Sequence, residues 1–433
     1  MLSSTERSYS PKPYDTIKQS IPAVIIELAT QLKLVELPTS VQLPTSPASL
    51  PFDTNKIKIN KDFPRVAAYA MGNDQFDIHE KIHTFLDKLE LFLISANFKK
   101  KHTIYKQRCL QMVGQNLSEW TQDYLQIGDN EIALPFFTNN LAQNKKLSNK
   151  FNLPRHKATH LQLGNVINNK LYLHGIAFTE SLGIPIRIKT IYDEGGNTLG
   201  GHYKDSNGKT KKYAIVGEDS ITATSSLDHF DTREEVIQAF KQEYQVDEIV
   251  TVTQPGTYHL DLAMCIVGDK KVILNDAVSA HYLLQQFNIN SKKQNRLIPP
   301  SKKTLQRKAA EDLVHTELVK NGFSVIRIPG NFIELKRTKY SPFKQEVITM
   351  NFFNMVLGTA PDSSKFIITL GFKDLFFKKH FEIYLDTILD KFKDIKWLIL
   401  PYENSKKALE RSGGISCLMR PIYTDSSNKE SSI

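Results

Sequence analysis

Cys417 lies in RSGGISCLMRP, Arg411 to Pro421, directly after a strong strand pattern, Ile395–Leu400, and a short polar helix-like connection, Glu403–Leu409. Gly413 and Gly414 let the backbone take positive φ or approach a ligand closely. Delivered there, the thiol sits at the rim of a sheet, free to point into a cleft. It is chemically useful only as a thiolate, which needs nearby positive charge or a partner imidazole. The competing interpretation is a buried, inert cysteine behind a glycine turn. A partner imidazole stands upstream in YHLDLAMCIVG, where His259 and Asp261 alternate about Leu260. At period two both side chains share one face of a strand, at the head of an apolar run, Leu262–Val267. Taken alone, His259 reads equally as a satisfied structural histidine.

Two further places carry carboxylates at bends. DEGGN, Asp193–Asn197, closes a strand pattern over Ile184–Ile191 and puts Glu194 where the backbone must turn, unless it is simply a solvated turn residue. In SEWTQDYLQIGDNEIALPFF, Trp120 and Asp123 stand three residues apart where a helix gives way to a strand. A ring beside a carboxylate suits a planar cation, the ring stacking on its face and the carboxylate accepting its N–H donors. A core tryptophan next to a capping aspartate is the plain alternative.

The elements that must position these side chains follow from hydrophobic periodicity. Residues 1–60 are rich in Pro, Ser and Thr, broken by the apolar Ile21–Val35, and read as an N-terminal extension that is partly disordered or wraps the main domain. Residues 61–425 are expected to form one globular domain, and 426–433 a polar C-terminal tail. Helices are expected over Phe76–Phe98, Ile104–Leu117, Tyr172–Leu182, 231–244 with an aspartate N-cap, Lys303–Asn321 and His380–Phe392. Strands are expected over Val166–Lys170, Tyr213–Gly217, Glu248–Thr253, Phe323–Ile328, Gln345–Leu357 and Lys365–Leu370, with a Gly-rich charged loop over Gly200–Lys212. Strand pairs and helices recur in a ββαβ-like rhythm of roughly 60–80 residues, as a radially repeated α/β architecture requires.

With 433 residues, 40% hydrophobic and 24% charged, the chain can bury a large core. No apolar run reaches membrane-spanning length, and MLSSTERSYSPKPYD lacks a basic segment followed by an apolar core, so no secretory signal is expected. Three scattered cysteines, Cys109, Cys265 and Cys417, make neither a disulfide framework nor a CxxC metal site, which points to a reducing, cytoplasmic setting. The net charge of +10 is spread over runs such as Lys99–His102, Lys209–Lys212, Lys302–Lys308 and Lys378–His380. Without interleaved stacking aromatics these read as solvated faces rather than a nucleic-acid track. The basic surface and the tail TDSSNKESSI also fit export by a non-classical route.

Taken in order, Trp120 and Asp123, EGGN, HLD and GGISCLMRP resemble the guanidino-group-modifying enzymes: arginine, agmatine and peptidylarginine deiminases and amidinotransferases. HLD and GGISC with a proline four residues on are similar to bacterial arginine deiminases; EGGN is similar to arginine and agmatine deiminases; WTQD is similar to peptidylarginine deiminases. The resemblance spans the chain from about the first globular helix to Pro421. It departs at Ser416, often histidine in agmatine and peptidylarginine deiminases, and at Gln122, an arginine in agmatine deiminases, which favours a protein-bound guanidine over agmatine.

The resemblance implies a five-bladed α/β propeller (pentein-like, pseudo-fivefold ββαβ repeats) with the site on its axis. It implies Cys417 as nucleophile, His259 as proton carrier, Glu194 holding His259, and Asp123, Asp261 and Trp120 binding a guanidinium. It implies hydrolysis of arginine, peptidyl-arginine or agmatine to a ureido product and ammonia, with no cofactor and no metal. An amidinotransferase shares the first half-reaction, and a non-catalytic guanidine-binding module would keep the clamp alone. A papain-like protease is disfavoured, because the cysteine comes last and follows a GG turn. The expected partner is a guanidine-containing small molecule or an arginine side chain of a protein, with neither membrane nor nucleic acid.

Overall fold

The computed structural model of the chain describes residues 66–71, 76–95, 120–124, 126–127, 132–134, 186–225, 230–290, 298–338, 341–388, 395–411 and 413–423. One wiring pattern recurs through them. A middle strand pairs antiparallel with one neighbour and parallel with another, the parallel partner being reached through a helical connection wherever that connection is described.

The first such sheet is built from β1 (Val66–Met71), α1 (His79–Asp87) and β2 (Phe92–Ser95), and is completed by the last strand, β17 (Met419–Tyr423). After the short helix α2 (Thr121–Tyr124), β3 (Gln126–Ile127), β4 (Ile132–Leu134) and β5 (Ile186–Ile188) form the second. The third contains β6 (Thr198–Lys204), β7 (Thr210–Gly217) and β8 (Glu248–Val252), with α3 (Glu218–Thr224) and α4 (Arg233–Tyr244) in the crossover. The fourth contains β9 (Met264–Gly268), β10 (Lys271–Asn275) and β11 (Ser324–Ile328), with α5 (Ala277–Asn290) and α6 (Lys302–Lys320). A separate hairpin, β12 (Asn331–Thr338) and β13 (Ser341–Asn351), precedes the fifth sheet. That sheet has β14 (Val356–Thr359), β15 (Lys365–Thr369) and β16 (Lys396–Ile399) around α7 (Leu375–Ile388). The chain then runs through α8 (Tyr402–Glu410) and α9 (Ile415–Leu418) into β17.

Alternation along the middle strands explains how the sheets pack. Tyr213 and Ile215 of β7 share a core with Val272 and Leu274 of β10, whereas Ala214 and Val216 face the helices, against Ile221, Val236 and Phe240. Ile273 of β10 points the other way, into a core that also holds Ile367 of β15. Phe366 and Ile368 of β15 then share the next core with Tyr69 and Met71 of β1. Third, fourth, fifth and first sheets are therefore joined face to face in sequence. Strands buried on both faces read as unbroken apolar runs, as in β7, β10 and β15. Each large side chain buried in this way stabilises the fold by about 1.5–3 kcal/mol relative to exposure.

Several elements differ from the sequence expectation for identifiable reasons. The helix expected over Phe76–Phe98 ends at Asp87, and the same apolar run continues as β2. Glu90, at φ 57°, turns the chain there without a glycine to announce it. The loop expected over Gly200–Lys212 is a hairpin, because its glycine marks a close approach rather than a bend: a Cβ on Gly201 would lie 2.5 Å from the Tyr213 ring across the ladder. Thr232, not Asp231, caps α4, exchanging hydrogen bonds with Glu235 in a capping box. The single strand expected over Gln345–Leu357 is β13 and β14, separated by a turn at 352–355. The expectations over 1–60, Ile104–Leu117, Val166–Lys170, Tyr172–Leu182 and 426–433 lie outside the described residues. Among the described residues, no helix is long and apolar enough to cross a membrane.

Candidate active site

Every sheet is followed by a link to the next, and each link brings polar side chains toward one buried cluster. α2 lies between the first and second sheets, DEGGN between the second and third, and HLD between the third and fourth. The turn after β13 lies between the fourth and fifth, and α9 between the fifth and first.

At DEGGN the turn is a 3-10 helix, Gly195–Asn197. It is pinned by buried Asp193, which accepts from Thr198 Oγ1 (3.0 Å), Ser220 Oγ (3.1 Å) and the Tyr244 hydroxyl. Asn197 adds a bond to Ser220 Oγ (2.8 Å) and accepts from Gln254 Nε2 (3.0 Å), whose amide also holds the Tyr258 carbonyl (2.7 Å). The turn carrying Glu194 and the segment leading to His259 are thus fastened together. Glu194 Oε2 stands 2.6 Å from His259 Nε2, and its other oxygen accepts from the Tyr192 hydroxyl at 3.2 Å. A carboxylate this close fixes the ring's orientation.

His259 and Asp261 do not lie on a strand. Leu260–Leu262 is a 3-10 turn entered from His259 in extended backbone, and β9 starts only at Met264. The turn still delivers both side chains, buried, to the same cluster. Asp261 Oδ2 accepts from Asn354 Nδ2 (3.0 Å) and Ser416 Oγ (3.3 Å). Burial raises the Asp261 carboxyl pKa above its ordinary value, against the opposing pull of His259, Gln122, Ser416 and Arg420.

Cys417 is buried on α9 rather than free at a sheet rim. Neither Gly413 nor Gly414 takes positive φ; both are needed for space. A Cβ on Gly413 would lie 2.2 Å from the Trp120 ring, and one on Gly414 2.3 Å from Asn354 Oδ1. Asn354 Nδ2 donates to Cys417 Sγ at 3.3 Å, and His259 lies near enough to act on the thiol. Burial pushes the thiol pKa up, the Asp261 charge pushes it further, and His259 pulls it down.

The cluster thus joins Glu194, His259, Asp261 and Cys417, residues far apart in sequence. Asp123 lies on α2, whose Thr121 hydroxyl donates to the Leu418 carbonyl (2.9 Å) and ties that helix to the cysteine turn. Trp120 packs on Phe76, ring centroids 5.8 Å apart, and the guanidinium over its ring, at 5.9 Å, belongs to the chain's own Arg411. Ser416, Gln122 and Arg420 bear directly on Asp261, and Asn354 on both Asp261 and the thiol. The sequence marked none of these four as site residues, although Ser416 and Arg420 lie inside the GGISCLMRP motif and Gln122 beside Asp123.

The tightest packing in the cluster gives a direct test. A Cβ on Gly196 would lie 2.5 Å from His259 Nδ1 and 2.8 Å from its Cγ. Gly196→Ala is therefore expected to displace the imidazole and lower kcat about 10²-fold, with a melting curve that stays cooperative. Steady-state kinetics within about threefold of the parent would show that the ring position does not matter.

No protein-family model and no curated protein matches the sequence. Solved structures do. A structural-genomics target assigned as an agmatine deiminase superposes with a TM-score of 0.52 at 10% identity, over 87% of this chain and 98% of that one. The fold is that of the guanidino-group-modifying enzymes. The agmatine deiminase of Enterococcus faecalis also aligns (TM-score 0.48, 11% identity, 86% of this chain and 97% of that one). So does a cysteine-to-serine variant of the agmatine deiminase of C. jejuni with substrate bound (0.45, 13%, 83% and 94%). At such identities the likeness is one of fold.

Both positions at which the sequence motifs depart from the resemblance bear on Asp261. Ser416 donates its hydroxyl to the carboxylate, and Gln122 is buried with its amide beside it. Beside His259, Arg420 of the cysteine strand also bears on Asp261 and lowers its pKa.

Proposed function

We propose that this chain is a deiminase that hydrolyses a guanidinium, in arginine, a peptidyl arginine or agmatine, through a covalent intermediate on Cys417. The single observation that carries the proposal is the meeting of Cys417, the His259–Glu194 pair and buried Asp261 from three separate inter-sheet links. The repeated three-stranded sheets with shared cores support an arrangement of five blades about an axis, spanning about residues 61–425, with this cluster at the centre.

A guanidinium is planar and cationic, and its central carbon is a poor electrophile. Asp261, with Asp123, accepts its N–H donors and fixes its plane. The cation also offsets the Asp261 charge that disfavours the thiolate, so binding itself promotes ionisation of Cys417. The thiolate attacks the central carbon, and His259 protonates the departing nitrogen, which leaves as ammonia. The amidino group is then held on sulfur. His259 takes a proton from water, the hydroxide adds to the same carbon, and the C–S bond breaks as the added hydroxyl gives its proton to solvent, returning the thiolate and releasing a ureido product. Glu194 keeps the imidazole oriented through both transfers.

Arginine, agmatine and arginine-containing peptides, each with and without an added amine, discriminate the outcomes. Ammonia and ureido product are expected without any acceptor amine. Amidino transfer that occurs only with an amine present would replace hydrolysis, and no product from any guanidine would leave a binding module.

A further inference from the structure

Four of the five inter-sheet links carry a residue to which the proposed chemistry assigns a role; the link from the fourth sheet to the fifth does not. It nevertheless projects a buried side chain into the cluster. We infer that Asn354 is a side-chain hydrogen-bond donor to the thiolate, one amide that holds the reacting sulfur and the guanidinium-binding carboxylate in fixed relation. The inference rests on the function proposed above for its chemical meaning, and on the geometry alone for its physical content.

The amide is anchored from every side. Its Oδ1 accepts the backbone N–H of Ser416 at 2.8 Å, and a backbone N–H can only donate, so the oxygen must face it. Nδ2 is thereby directed at the two remaining partners, Asp261 Oδ2 at 3.0 Å and Cys417 Sγ at 3.3 Å. Its two hydrogens match two acceptors. The Asn354 backbone N–H in turn donates to Asn351 Oδ1 (3.1 Å), and Asn351 Nδ2 donates to the Leu262 carbonyl (2.8 Å), one residue beyond Asp261. Asn351 and Asn354 therefore staple the His259–Asp261 turn to the cysteine turn, and only a glycine at 414 leaves room for Oδ1.

An asparagine placed only to fill space would direct its N–H groups at backbone carbonyls; here both go to groups that must be charged for the reaction. A hydrogen bond donated to an ionised sulfur favours the thiolate by about tenfold or more, roughly one pH unit. Charged groups near the sulfur are His259 and Asp261, with Glu194 behind the imidazole and Arg420 bearing on the carboxylate. All of them remain when Asn354 is changed.

The test follows alkylation of Cys417 by iodoacetamide against pH, read at the Cys417 peptide by mass spectrometry, in the full chain and in Asn354→Ala and Asn354→Asp. The plateau rate reports access and the midpoint reports ionisation. The midpoint is expected to rise by about one pH unit in Asn354→Ala. Asn354→Asp keeps an acceptor for the Ser416 N–H and nearly the same volume, so it holds the turn if the alanine variant fails to fold. It is expected to shift the midpoint at least as far. In guanidine turnover, kcat is expected to fall about tenfold at neutral pH and to recover as pH rises, which a merely structural lesion would not do. An unmoved midpoint in folded variants overturns the inference whether or not the chain turns over guanidines. A shifted midpoint in a chain that turns over none sustains it and rejects the deiminase instead.

Discussion

Cys417→Ala is expected to lose turnover by at least about 10³-fold while binding guanidines within about threefold of the parent. The proposed nucleophile vanishes, but the groups proposed to hold the cation do not pass through it. Asp261 keeps its bonds from Ser416 and Asn354, and the His259–Glu194 pair is set by DEGGN and the segment before His259. Truncation removes one sulfur and leaves a void that costs about 1–3 kcal/mol, too little to unfold a core of this size. Equilibrium binding of arginine, agmatine or an arginine peptide, measured beside product formation, checks both halves. Activity within about tenfold of the parent would rule out the covalent route.

Legibility in the sequence followed a physical pattern. Glu194 and Cys417 stand beside glycine pairs, and His259 and Asp261 are titratable groups at the mouth of an apolar run, so chemistry and context coincide. For the histidine and aspartate the backbone differs from the expectation: they share a 3-10 turn rather than a strand face, and the turn still brings both buried side chains to one cluster. Asn354 was invisible because NFFNMV looks like any turn between strands, and its meaning comes from partners 93 and 63 residues away, Asp261 and Cys417. Gly201, Gly413 and Gly414 suggest bends, yet each is small because a ring or an amide presses on it, a demand that exists only in the folded chain. The break between α1 and β2 was illegible too, since helix and strand draw on one apolar run and only Glu90 turns it.

Asp261→Asn should push two observables in opposite directions, which separates an electrostatic role from a structural one. The side chain stays nearly isosteric and buried, but the anion is gone. A guanidinium that had faced a carboxylate now faces an amide, and loss of the charge-assisted bond weakens binding about 10- to 100-fold. The effect on the thiol has the opposite sense. In the parent, the Asp261 charge is one of the causes that raise the Cys417 pKa, second to burial. A raised thiol pKa leaves the sulfur protonated, and so unreactive, until the pH climbs above its ordinary midpoint. Removing the anion lowers that midpoint, so alkylation of Cys417 at a mildly alkaline pH should become faster in the variant even as substrate affinity falls. Damage to the fold would slow or scramble both. The measurement is the iodoacetamide pH profile of Cys417 beside guanidine affinity. A midpoint that rises or stays put, with affinity unchanged, would mean that the carboxylate neither senses the thiol nor holds the cation, and the clamp would have to be sought elsewhere in the cluster.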